Sequence, residues 1–130
     1  MLDTVTDFGL GLQWEARLGP WPLTEADLPP LLHKHGLLLI RGAVLDDDAL
    51  VAVARTFGPP NIALPAPFQS PSTPFVRVQS NVPGRGDQAA GFYWHTDGAW
   101  SDPPTAVTLL LCEEAPRTEG ETLFVDMRAV

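Results

Sequence analysis

The chain holds a single cysteine, Cys112, among its 130 residues. One thiol cannot close an intrachain disulfide, so the order of the fold has to come from packing and hydrogen bonds. Cys112 ends an apolar run and reads as a small buried hydrophobe rather than a nucleophile. Basic residues are scarce too: 8 lysines and arginines stand against 16 aspartates and glutamates, a formal net charge of −8. Without a basic cluster there is no electrostatic footprint for nucleic acid or an anionic membrane, and neither is expected as a partner. The acidity is spread along the chain and argues mainly for solubility. No apolar run approaches membrane-spanning length; the best are Gly36–Ile40 and Ala106–Cys112. Met1 to Asp7 has neither a basic start nor a long apolar segment, so it does not read as a signal peptide, and a cytoplasmic location is the default expectation. The chain shows no internal repeat, no glycine-rich phosphate loop and no Ser/His/Asp order.

Hydrophobic residues make up 45% of the sequence, enough for a globular protein, and the length suits one modest domain with one core. A short strand interrupted by Gly9 and Gly11 is read between Phe8 and Trp14, and Gly19 to Pro22 is a loop. A short helix is expected from about Pro29 to His35, stopped by Gly36; His33 and His35 then sit at its end as exposed or charge-favourable positions. Leu37 to Ile40 reads as a buried strand. Asp46, Asp47 and Asp48 start a helix over about Asp47 to Phe57, with Leu50, Val53, Ala54 and Phe57 as its apolar stripe. Six prolines between Pro59 and Pro74 make an irregular loop, of the kind that often serves as a lid. Phe75 to Gln79 alternates like a strand, and Asn81 to Gly91 is a second loop. Thr105 to Cys112 has the strongest strand pattern, apolar on both faces and so expected deep in the core. Glu121 to Met127 reads as a strand with Thr122, Phe124 and Asp126 on one face, and Asp126 as the cap of a following helix. The class is mainly β with N-terminal helices, α+β, with a sandwich or barrel built from the late strands.

The stretch that carries chemistry runs from Phe92 to Asp102, centred on His95-Thr96-Asp97. In an extended segment residues two apart share a face. His95 and Asp97 would therefore aim an imidazole and a carboxylate at one point, two thirds of the 2-His-1-carboxylate triad of non-haem Fe(II) oxygenases. The tripeptide also has a plainer reading, a turn at Asp97-Gly98 with His95 ending a strand.

Three stretches together resemble the taurine dioxygenase / 2,4-dichlorophenoxyacetate dioxygenase family (TauD/TfdA), whose members use Fe(II) and 2-oxoglutarate. The first is His35 to Gly42 with the acidic helix that ends Phe57-Gly58-Pro59-Pro60. The second is Tyr93 to Trp100 with Pro103-Pro104 after it. The third is Gly120 to Arg128. The resemblance implies a double-stranded β-helix, or jelly roll. It assigns His95 and Asp97 as iron ligands and Thr122 as a contact of 2-oxoglutarate, a role its hydroxyl can fill by donating to a carboxylate. It implies a small organic substrate and O2, with release of succinate and CO2. Trp94 and Trp100 would be core or pocket wall that keeps the site dry. Asn81 and the loop from Asn61 to Thr73 fall where the family's substrate pocket is built. Gly91 stands where some taurine-type members carry a substrate-binding asparagine, which counts against taurine itself.

The family's second iron histidine and its 2-oxoglutarate arginine come later than residue 130. Arg117 and Arg128 do not lie in that late motif. The chain is thus expected to be the N-terminal part of one TauD/TfdA-like domain, residues 1–130, with an incomplete jelly roll whose C-terminal strands are absent. A half-sheet of that kind has open edges and would pair with a second copy or a complementary chain. A non-catalytic partner-binding module and an inactive truncated remnant remain as alternatives.

Overall fold

The computed structural model describes residues 4–7, 12–19, 26–89, 91 and 93–130. The described chain falls into two units: one takes in residues 1–45 and 111–130, the other Asp46–Leu110.

The first unit is built on a three-stranded sheet in the order β1-β2-β3, where β1 is Thr4–Asp7, β2 is Leu12–Gly19 and β3 is Leu38–Ala43. β1 and β2 pair antiparallel, with Thr4 opposite Glu15 and Asp7 opposite Leu12. β2 and β3 run parallel, with Leu12 opposite Leu38 and Trp14 opposite Ile40. A parallel pair needs a crossover, and the helix α1, Leu28–His35, lies between the two strands in sequence and packs on β3. The strand read between Phe8 and Trp14 is in part β2; Phe8 to Gly11 and Pro20 to Pro22 lie outside the described residues.

α1 begins one residue before the expected start. Pro29 and Pro30 are accommodated because the first turn of a helix has no intrahelical partners for its N–H groups. The helix ends where expected: Gly36 takes a left-handed φ of 75° and donates its N–H to the Leu32 carbonyl at 2.7 Å. Leu28 is buried, 2% exposed.

β3 starts one residue later than the reading and runs three further, to Ala43. It is not the buried strand expected, because among the described residues it is an edge strand with one neighbour. Its residues from Leu38 to Arg41 alternate between half-buried and exposed.

The second unit opens with α2, Asp47–Arg55. Asp46 is the N-cap, its Oδ1 accepting from the Ala49 N–H at 2.8 Å. Asp47 and Asp48 occupy the first turn and Arg55 the last, both favourable to the helix dipole. The expected end at Phe57 is two residues too far. Thr56 and Phe57 donate to the carbonyls of Val53 and Ala54, three residues back, so the last turn tightens out of α geometry. Val51 and Val53 are buried.

The proline-rich stretch after Pro59 is irregular as read, apart from one turn of 3-10 helix at Ala66–Phe68. It is tied to α2 through Asp47, whose carboxylate accepts from the hydroxyls of Ser70 and Ser72. Phe75 lies in a turn, and the chain from Val76 to Gln79 is bonded on both sides. Ser70 N–H donates to Val76 O and Asp87 N–H to Val78 O, both at 2.8 Å. Among the described residues its pairings are isolated bridges, Gln69 with Arg77 and Gln79 with Asp87, so it is no regular strand.

The late strands are the main correction. Among the described residues, neither Thr105 to Cys112 nor Glu121 to Met127 joins a ladder. Thr105 to Leu111 alternates between half-buried and exposed, and Cys112 is exposed instead of buried. Leu123, Phe124 and Met127 are 70%, 50% and 70% exposed. An extended segment buries its faces only when neighbours stack beside it, and no neighbour strand is formed here. The described residues therefore show one open three-stranded sheet and no closed jelly roll.

Candidate functional site

In place of a strand through His-Thr-Asp, the chain runs without regular structure from Trp94 to Thr96 and turns over Asp97 to Trp100. The turn at Asp97-Gly98 is present, but no strand ends at His95. The approach is extended enough to put His95 and Asp97 on one side, and Asp97-Gly98 opens a turn. Gly98 takes φ 61°, and a Cβ there would overlap the Thr105 hydroxyl. The Ser101 hydroxyl closes the turn, donating to Gly98 O at 2.7 Å and lying 3.0 Å from Pro103 O.

The side chains of His95 and Asp97 do come together, with Nε2 3.2 Å from Oδ1. The other ring nitrogen, Nδ1, lies 2.7 Å from the carbonyl oxygen of Tyr93. A carbonyl only accepts, so Nδ1 carries the proton and donates. In the neutral ring Nε2 then presents a lone pair to a carboxylate. A cation placed between the lone pair and the carboxylate would draw on both.

The donor set fits a divalent metal of the iron type, one neutral imidazole and one carboxylate. The spacing fits as well: at 3.2 Å the two donor atoms are close enough to share one ion. The side chains are 39% and 48% exposed, so the pair is open to solvent on its free side. Among the described residues no cluster of three His, Cys, Asp or Glu side chains forms, so a third protein ligand is not present in this set.

Trp94 and Trp100 are not core. They are 66% and 85% exposed, which leaves their expected role as a dry wall unmet in this unit. Asn81 is exposed in its loop. Thr122 belongs to the other unit and lies exposed in an extended segment. His33 is exposed and His35 half-buried, both in the last turn of α1 as read.

Three charged arrangements escaped the sequence reading. Asp47 is held below its ordinary range by the two serine hydroxyls. Asp87, 9% exposed, is lowered by the Ala89 N–H and by Arg77, whose guanidinium also lies 5.8 Å from the centre of the Phe68 ring. Asp126 is lowered to about 2 by the Arg128 side chain and then by the Arg128 N–H. The Arg128 guanidinium stands over the backbone at Gly36, where a Cβ would lie 2.9 Å from Nη2. A cation there faces the carbonyl end of α1, the favourable end for positive charge. Opposite charges two residues apart, Asp126 and Arg128, were a visible signal for that contact. The Ser70–Asp47 and Arg77–Asp87 pairs, separated by loops, left none.

Compared with known families, residues 10–130 match the one described as "Taurine catabolism dioxygenase TauD, TfdA family". Among curated proteins, an alpha-ketoglutarate-dependent 2,4-dichlorophenoxyacetate dioxygenase of Cupriavidus pinatubonensis is 30% identical over 118 residues, covering 79% of this chain and 41% of its own length. A protein of the same name from Burkholderia sp. (strain RASC) is 29% identical over 123 residues, covering 83% of this chain and again 41% of its own length. The chain thus spans less than half the length of these relatives. No solved structure matches.

Proposed function

The chain belongs to the taurine catabolism dioxygenase TauD, TfdA family, and from that membership we propose that it is the part of an Fe(II)- and 2-oxoglutarate-dependent dioxygenase that brings His95 and Asp97 to the metal. The observation that carries this is the 3.2 Å approach of Nε2 to Oδ1 inside the motif that the family match covers. In the chemistry proposed, 2-oxoglutarate is decarboxylated to succinate and CO2, one oxygen atom of O2 entering succinate and the other a small organic substrate. His95 would give a neutral nitrogen and Asp97 an anionic oxygen to the Fe(II), which would supply the binding of co-substrate and O2. Thr122 is proposed to donate its hydroxyl to a carboxylate of 2-oxoglutarate. The relatives are named for 2,4-dichlorophenoxyacetate, so aryloxyacetates are the first substrates to try.

The test is succinate release by the protein that carries these residues, supplied with Fe(II), ascorbate, 2-oxoglutarate and an aryloxyacetate. Substrate-dependent succinate that falls to background in His95→Ala and in Asp97→Ala supports the proposal. Succinate formed equally well by both variants contradicts it. Thr122→Val should raise the KM for 2-oxoglutarate several-fold, and Thr122→Ser should restore it.

A second reading, a partner-binding module, is favoured by the exposed apolar run Leu123, Phe124, Val125 and Met127. Light scattering separates the two: a concentration-dependent dimer that Phe124→Asp dissociates speaks for the module. A monomer at all concentrations speaks against self-pairing.

A further inference from the structure

We infer that Tyr93 is a positioning residue for His95, its carbonyl oxygen and its ring together holding the imidazole with the proton on Nδ1 and the Nε2 lone pair turned toward Asp97. Two observations on the same residue support this. The carbonyl oxygen accepts from Nδ1 at 2.7 Å. The phenol ring stands with its centroid 5.4 Å from that of the imidazole, tilted by 57°. That separation and tilt lie in the range where an edge of one ring meets the face of the other. The ring contact follows from the spacing, since side chains two apart in an extended segment share a side.

The carbonyl decides the tautomer. Free histidine favours the proton on Nε2, the atom that here faces Asp97. If the proton sat there, a bare Nδ1 lone pair would lie 2.7 Å from a carbonyl oxygen, a short repulsive contact. With the proton on Nδ1 that contact becomes a hydrogen bond, and Nε2 is free to bind a metal. A ligating histidine generally needs its second nitrogen tied in this way.

The ring decides the direction. A single exposed hydrogen bond leaves the imidazole free to swing off the carbonyl, and a neighbouring ring restricts that swing, so losing the ring loosens the hydrogen bond and with it the hold on the Nδ1 proton. Tyr93 is 75% exposed, so its ring is not part of the core, and removing it should not unfold the unit. Its hydroxyl makes neither contact, so phenylalanine should serve as well.

The role in metal binding rests on the proposed function; the tautomer does not, and the two can be tested apart. The experiment uses the 130-residue chain with 15N-labelled histidine, metal-free at pH 8.5, well above the ordinary histidine pKa of about 6.5. Long-range 1H–15N spectra read which nitrogen of each ring is protonated, and His33→Gln and His35→Gln assign the His95 signals. Mn(II) titration then follows on the same samples. The expected result is a proton on Nδ1 of His95 in the native chain and in Tyr93→Phe. In Tyr93→Ala and Tyr93→Leu the Nδ1–H fraction should fall, and the Mn(II) Kd should rise three- to tenfold. Tyr93→Leu keeps side-chain bulk and covers the case in which alanine disturbs the turn. A native His95 with the proton on Nε2 overturns the inference, as does a Tyr93→Ala chain with native tautomer and native Mn(II) affinity. If His95 holds the Nδ1 proton but the native chain binds no Mn(II), the positioning role of Tyr93 stands and the metal reading falls.

Discussion

At Gly98 the backbone sits at φ 61° with the Thr105 hydroxyl where a side chain would begin. Gly98→Ala therefore meets both a left-handed backbone and a clash, and it should cost about 1–3 kcal/mol. Urea unfolding should show that loss, and Mn(II) affinity should fall with it, because Asp97 opens the same turn. Unchanged stability would mean the turn can relax away from Thr105. At this scale the approach of His95 to Asp97 was legible in the sequence. His95 and Asp97 are two apart, and any extended backbone puts such residues on one side. The tautomer of His95 was not legible, because it depends on where one carbonyl oxygen lies. The exposure of Trp94, Trp100 and Cys112 was not legible either. A residue's type sets its preference for burial, whereas its neighbours decide whether anything covers it.

The two helices were legible because their signals are local. Gly36 after α1 and the three aspartates before α2 act within a turn of where they stand. Asp46→Ala should destabilise its unit by about 1 kcal/mol through loss of the Ala49 contact, read as a lower urea midpoint, whereas Asp46→Asn should keep most of it. The late strands, unlike β3, were legible as patterns and not as structure. Thr105 to Cys112 and Glu121 to Met127 have the residues of strands, but a strand is completed by a partner that no local pattern names. Carboxylates tie the irregular segments instead. Asp47 and Asp126 both titrate below the ordinary 3.8, Asp126 at about 2. The folded chain then binds fewer protons than the unfolded one in that window. Their contribution is present above pH 3.8 and is lost as pH falls toward 2. The urea midpoint should thus decline between about pH 4 and pH 2, and Asp126→Asn should flatten part of that decline. Because Asp126 is only partly covered, added salt should weaken the effect.

For the molecule as a whole, the family match runs over residues 10–130 while the relatives are more than twice as long as the part aligned. The described residues carry an open sheet, a pair of candidate ligands and an exposed apolar run, in two separately ordered units. The motif order announced the family because it needs only spacing. The jelly roll implied by that family did not show itself, because closing a sheet needs every strand at once. The central claim is the proposal that His95 and Asp97 would together hold one metal ion. Its most direct test is a Mn(II) titration of the 130-residue chain beside His95→Ala and Asp97→Ala, with bound and free ion counted by electron paramagnetic resonance. The account predicts one saturable site in the native chain and a loss of more than about tenfold in affinity in each variant. Equal binding by all three chains would place the ion elsewhere and contradict it.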